Sequence, residues 1–424
     1  MHPYDSIPEL AGLATYAEAA RIGWSVDENV RRLLRLHWAE QRLRRLMVAR
    51  ITAEPVWEVK CALALHQWQS ALRIDDLRSR IAEMRSPVPR LDVAPSDAPD
   101  IEKLFDSIER SESTRALVSG IYVAALPALA RDYREHLDGC NPLVDHPTRR
   151  ILQLALPDLD AAIEWGDRAL AAIERHEASS EPKSDLPEFH PRRDERFHGR
   201  YNFEFAPHVV YNMPGVSAEE RNLALLCKRT LEMDVPEMMA SFMTERADAP
   251  WEFHRDYSRQ LWDEARHAMM GSVALEARGV DWKREIPLNV SFALRLNLHA
   301  TPVERQMMLF AIEQSLMPGE TGKRFEYDTA VAAGDPLSAH FHDYDWADEV
   351  LHAQIGRRAL KRDGLTAEGA RDSAQAIHEK TWAALDAYRH LDRQEDWWPA
   401  FVERMLGRPS EAAAGRPELK VFGE

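Results

Sequence analysis

Two stretches decide the reading of this chain: Trp262-Asp263-Glu264-Ala265-Arg266-His267 and Trp346-Ala347-Asp348-Glu349-Val350-Leu351-His352. In each, a Glu precedes a His by three positions. On a helix, the carboxylate and the imidazole then lie on one face and aim at one point. Such a pair is a ready set of metal ligands. One Glu-x-x-His is a weak signal: Glu195 and His198 repeat it inside a breaker-rich segment, where it is given no role. Two copies on helices of one four-helix segment are much stronger.

Outward from these motifs, apolar residues recur at three- and four-residue steps, glycine is scarce and alternating strand patterns are hard to find. The fold class is all-α. Helices are expected over 27–50, 55–84, 100–137 and 147–177, with a break at Pro87-Val88-Pro89 and a bend at Pro157. They make an additional N-terminal helical bundle, residues 1–178. Residues 179–216 are polar and rich in breakers, as expected of a linker or surface arm. The aromatic second half of that arm (Tyr201, Phe203, Phe205, Tyr211) is expected to pack. Residues 217–362 offer four more helices. The first starts at Ser217 with a capping box to Glu220, runs to Arg246 and kinks at Pro236. The others cover 251–278, 302–333 and 338–361. Residues 363–424 supply a helix over 366–394 and a loose tail from Ser410.

Spacing then tests for partner acids. In an antiparallel hairpin, residues at one height are equidistant from the turn. Glu264 and Glu232 centre on Asp248, inside Ala247-Asp248-Ala249-Pro250. Glu349 and Glu320 centre between Gly334 and Asp335, also a turn. Glu320 is therefore preferred on the third helix. Glu313 shares its face seven residues earlier and competes as a ligand or neighbouring acid, with a Pro318-Gly319 kink between them. Asp263 and Asp348 each precede a His by four, so each points toward the bundle interior. A metal-bound imidazole needs an acceptor on its other nitrogen, and Asp263 is placed to hold His352, Asp348 to hold His267. Taken singly, each of these is an ordinary solvated acid or satisfied histidine. Two repeated motifs and two partner acids matching two turns favour a metal site. The methionines of this segment read as core filling. Tyr257 and Tyr344 read as packing residues, with a redox role near the metals as the sharper alternative.

Composition excludes several classes. The chain has 424 residues, 45% of them hydrophobic, and a net charge of −16. That is enough apolar material for more than one core, which argues against disorder. The acidic balance argues against a general nucleic-acid binder. No apolar run of about 18 residues is present, so no membrane span is expected. The start lacks the pattern of a secretory signal. Three distant cysteines (Cys61, Cys140, Cys227) form no CxxC, which disfavours a disulfide framework and suits a reducing, cytoplasmic location. Without a Gly-rich dinucleotide fingerprint, electrons are expected from an external donor.

The segments Leu231-Glu232-Met233-Asp234, Glu252-Phe253-His254-Arg255-Asp256-Tyr257 and Asp263–His267, with Gly334-Asp335 and Asp348–His352, resemble the ferritin-like di-iron carboxylate superfamily. Within it they are similar to an uncharacterised bacterial ferritin-like family, over roughly residues 217–362. The resemblance implies a ferritin-like four-helix bundle with Glu232, Glu264, His267, Glu349 and His352 as ligands. Glu320 or Glu313 would be the sixth; the helix carrying them departs most from the family's pattern. It implies two Fe ions, with Mn the alternative, and O₂ as co-substrate. The function implied is a non-heme di-iron oxidase or oxygenase that hydroxylates, desaturates or N-oxygenates a small-molecule substrate. Alternatives are a ferroxidase or iron-handling protein without organic substrate, and a non-catalytic helical scaffold. No Glu-x-x-His occurs in residues 1–178, so that bundle is expected to be metal-free. No nucleic-acid or membrane partner is expected, and a homodimer is a candidate assembly.

Overall fold

A computed structural model describes residues 2–85, 91, 94–95, 99–175, 190–198, 206–392 and 397–412. Among them every regular element is a helix, and none of the helices is long and apolar enough to cross a membrane. The chain divides into two compact units: Met1–Met47 with Leu65–Pro182, and Val48–Ala64 with Lys183–Glu424. A single cut after residue 178 therefore misses one feature. The ends of the first two long helices, with the turn joining them, group with the second unit.

In the first unit, α1 (Val26–Ile51) and α2 (Trp57–Glu83) follow the expected apolar periodicity closely. The third expected helix is instead broken into α3 (Pro99–Glu109) and α4 (Thr114–Val118). A π-helical turn (Ser119–Ala125) then leads into α5 (Leu126–Gly139). The break has a local cause: Ser113 is a helix cap, its Oγ accepting from Ala116 N at 3.2 Å. The last helix, α6 (His146–Glu174), runs through Pro157. Leu33, Leu43, Leu77, Leu117 and Leu152 are all inaccessible to solvent. Each contributes roughly 1.5–3 kcal/mol by burial. Among them sits a polar knot in which Glu40 accepts from Ser70 (2.6 Å), Tyr133 (3.0 Å) and Arg73.

Three histidines give this unit a pH signature, among them His136, which burial lowers to about 4. Burial pushes His37 and His66 down to about 3, and His66 Nδ1 lies 2.9 Å from the Tyr122 hydroxyl. Unfolding releases each to an ordinary imidazole, which binds a proton below about pH 6.5. The unfolded state then holds more protons than the folded state, so stability falls as pH drops through that value. Between pH 7 and pH 5 the cost is about 2 kcal/mol per histidine. The His66→Phe chain should therefore lose about 2 kcal/mol less stability over that interval than the parent, by urea denaturation at both pH values. Equal losses would contradict the assignment.

The second unit holds α7 (Ala218–Thr230), α8 (Asp234–Glu245), α9 (Trp251–Glu276), α10 (Ser291–His299), α11 (Pro302–Ser315), α12 (Lys323–Ala332), α13 (Pro336–Arg362), α14 (Ala367–Ala384) and α15 (Trp398–Leu406). The expected 217–246 helix breaks at Leu231–Met233 rather than kinking at Pro236, which fits into the first turn of α8, where a proline removes no bond. The expected capping box is half made. Ser217 Oγ accepts from Glu220 N, but the Glu220 side chain binds Trp398, Ser410 and the Glu411 backbone. Ser410–Ala412 is thus tied down rather than loose; 413–424 lies outside the described residues. Neither α10 nor α15 was expected. The N-terminus of α10 is capped from afar: Asp234 Oδ2 accepts from Phe292 N (3.1 Å) and Ala293 N (3.3 Å).

The arm also differs from expectation where it is described. His190, Arg193, Asp194 and Phe197 are buried, and His198 exchanges backbone bonds with Lys283 and Leu288. Arg193 reaches Glu237, which also binds Lys60. The Pro87-Val88-Pro89 break, residues 176–189 and the aromatics Tyr201, Phe203 and Phe205 lie outside the described residues.

Close packing of α9 on α7 depends on Gly271. A Cβ there would fall 2.7 Å from Arg229 Cβ and 2.9 Å from Thr230 N. The approach matters because α9 carries Glu264 and His267, and α7 carries Arg229, which pairs with Asp345 beside His267.

Candidate metal centre

Helices α9, α11 and α13 bring Glu264, Glu313, Glu349 and His352 together, with ligand atoms all within 4.8 Å of one another. All four are buried. His352 Nδ1 lies 3.1 Å from both Glu264 Oε1 and Glu349 Oε2. A second group joins it: Glu232, His267 and Asp345. His267 Nδ1 is 3.1 Å from Asp345, 3.6 Å from Glu264 Oε2 and 3.9 Å from Glu349 Oε1. Glu264 and Glu349 thus each present one oxygen toward either histidine.

The far ring nitrogens are held crosswise. His352 Nε2 lies 3.3 Å from Asp263, and His267 Nε2 lies 3.1 Å from Asp348. Arg266 donates to both aspartates at 2.7 Å, and Arg259 donates to Asp263 at 2.7 Å. This lattice fixes both rings so that Nδ1 faces the carboxylates, an arrangement suited to metal ligation.

Glu320 requires a correction. It is exposed, at the tip of the turn between α11 and α12. The midpoint argument assumed one helix over 302–333, but α11 stops at Ser315. The following loop closes on itself through Gly322 N to Pro318 O (2.9 Å) and Lys323 N to Leu316 O (3.0 Å). Only glycine fits at 322, where a Cβ would meet Leu316 O at 2.0 Å. Glu313, the competitor, is the buried acid; Gln260 donates to its Oε1 at 2.9 Å, and its carboxyl also pairs with Glu349. Accordingly, Glu320→Ala should leave metal affinity within about twofold. Glu313→Ala should weaken it at least tenfold or so, as even outer partners of metal sites do when removed. Equilibrium titration with Fe²⁺ under nitrogen checks both.

Four residues here escaped the sequence reading. Asp345 and His342 precede Glu349 by four and seven, so 342, 345, 349 and 352 form one stripe along α13, a periodicity open to inspection. Lys323 and Arg229 are different. Nothing in their local sequence marks them, yet both are almost fully buried. Lys323 Nζ lies 2.9 Å from Asp345, 3.0 Å from Glu349 Oε1 and 3.7 Å from Glu232. Arg229 pairs with Asp345 (2.7 Å), Glu232 (3.2 Å) and Glu326 (3.2 Å). Of the tyrosines, Tyr257 packs against Phe242 and Phe253, and Tyr344 is exposed.

No protein-family model, curated protein or solved structure matches the chain.

Electrostatics divides the two groups sharply. Burial pushes Glu313 well above the carboxylate range, and the charges of Glu349 and Glu264 push it further. Burial would raise Asp345 and Glu349 too. Arg229 and Lys323 at the first, and Lys323 at the second, outweigh it and hold both well below that range. Burial would lower Lys323, but Asp345, Glu349, Glu326 and Glu232 hold its ammonium well above its usual value. Burial would lower His267 as well; Asp345, Asp348 and Glu264 raise it to about 10. The second group is thus neutralised from within. The first is neutralised only in part: Asp263, Glu264 and Glu349 hold the His352 imidazole well above its usual value against burial, but among the described residues neither Glu264 nor Glu313 has a Lys or Arg partner. Carboxylates buried without a cation are costly, and a metal ion is the usual remedy. These buried Glu, His and Asp clusters could hold a metal ion.

Proposed function

We propose that the chain is a ferritin-like, cytoplasmic, non-heme iron oxidase or oxygenase that uses O₂ to oxidise a small-molecule substrate. One observation carries this reading: Glu264, Glu313 and Glu349 converge on His352 in the interior, where among the described residues neither Glu264 nor Glu313 has a Lys or Arg partner. Mixed carboxylate and imidazole donors suit iron, with manganese the nearest competitor. When bound, iron supplies the electrons and the open positions at which O₂ is activated.

The residues of the chain do the rest. Asp263 and Asp348 hold the Nε2 positions, so both imidazoles present Nδ1. Gln260 fixes one Glu313 oxygen, which keeps that carboxyl beside Glu349 and Glu264. Burial excludes bulk water, which strengthens every electrostatic interaction inside.

The test is O₂ uptake by Fe²⁺-loaded protein, followed with an electrode. The proposal predicts uptake that continues only with an added reductant and an organic substrate. Uptake driven by Fe²⁺ alone, ending when it is spent, would show a ferroxidase instead. Failure to retain metal after anaerobic Fe²⁺ loading would overturn both.

A further inference from the structure

Two carboxylate and imidazole groups suggest two metal ions, but the cations already inside the protein are distributed unevenly between them. We propose that the Lys323 ammonium is a built-in second cation, so that the centre takes one metal ion per chain, at Glu264, Glu313, Glu349 and His352. This rests on the metal-centre reading above and deepens it.

The geometry is exclusive. A second ion held by Glu232, His267 and Asp345 would need oxygens of Glu232, Asp345 and a shared glutamate at roughly 2 Å. Lys323 Nζ already stands among those oxygens, at 2.9 Å from Asp345, 3.0 Å from Glu349 and 3.7 Å from Glu232. Both cations cannot occupy that space. Nor can the ammonium readily swing out to water: Lys323 is 1% exposed and begins α12 immediately after the self-closed loop. Arg229 doubles the point, pairing with Glu232 at 3.2 Å and Asp345 at 2.7 Å. The third group of acids and imidazole, Glu326, His342 and Asp345, is likewise taken by Arg229 and Lys228.

Glu349 is then the bridge, with Oε2 toward His352 at the metal position and Oε1 toward the ammonium. His267 Nδ1 lies 3.1 Å from Asp345, whose oxygens Arg229 and Lys323 already hold, so it is a positioning residue beside the metal rather than a ligand.

The test is metal content of the full chain after anaerobic loading with Fe²⁺, and separately with Mn²⁺, followed by removal of unbound ions. The parent should retain one ion per chain, Lys323→Arg one, and Lys323→Met two. In the Lys323→Met chain the Mn²⁺ resonance should show coupling between neighbouring ions, where the parent shows isolated Mn²⁺. Two ions in the parent would overturn the inference while leaving the metal centre standing. One ion in both parent and Lys323→Met, with Lys323→Met folded by circular dichroism, would also overturn it. No ion in any of the three would instead defeat the metal-centre reading itself.

Discussion

Glu264→Ala is expected to remove the metal from the centre while leaving a folded chain. Glu264 presents Oε1 toward His352 and Oε2 toward His267, so its loss opens the middle of the cluster. Removal of outer partners in metal sites costs 10–100-fold in affinity, and a direct carboxylate ligand should cost at least about 100-fold. The consequence is measurable as thermal protection. At a metal concentration near 100 times the parent's Kd, the parent gains about 2.7 kcal/mol of stability. A variant with a Kd 100-fold weaker gains only about 0.4 kcal/mol. Differential scanning calorimetry with and without Fe²⁺ under nitrogen distinguishes these outcomes. Equal metal protection of parent and variant would mean that Glu264 is a structural acid.

The second large effect lies away from the centre, at Glu237. This carboxylate neutralises two buried cations at once. Lys60 and Arg193 both pair with it, and the Glu237 backbone carbonyl accepts from Thr52 at 2.8 Å. Burial lowers Lys60 to about 8 even with this partner present, so the site tolerates an ammonium poorly. Glu237→Ala leaves an arginine that cannot lose its proton in a dry interior. The expected cost is about 3–5 kcal/mol, typical of breaking a buried ion pair from one side. Lys60→Met in the same background should recover part of that loss by removing one orphaned cation. Urea denaturation of the single and double variants measures both; a cost below about 1 kcal/mol for Glu237→Ala would mean that water reaches the knot.

The periodic parts of this chain were open to a reader of the sequence. α1, α2 and α6 each carry a long apolar stripe, and the Glu-x-x-His pairs on α9 and α13 follow from helix geometry alone. The crossed pairing of Asp263 with His352 and Asp348 with His267 needed only the four-residue spacing and the demand of an imidazole for an acceptor. What escaped detection depends on contacts distant in sequence. The break at Leu231–Met233 has no proline or glycine to announce it. α10 owes its cap to Asp234, more than fifty residues earlier in the chain. The choice of Glu320 over Glu313 failed because the midpoint rule assumes an unbroken helix, and a self-closed loop intervenes. Lys323 and Arg229 look like surface residues until α7, α12 and α13 converge.

The centre itself is most directly tested by anomalous diffraction at the iron edge from crystals loaded with Fe²⁺. The account predicts one peak per chain, bounded by Glu264, Glu313, Glu349 and His352, with Lys323 still beside Asp345. A fully loaded crystal with no peak among those four side chains would contradict it.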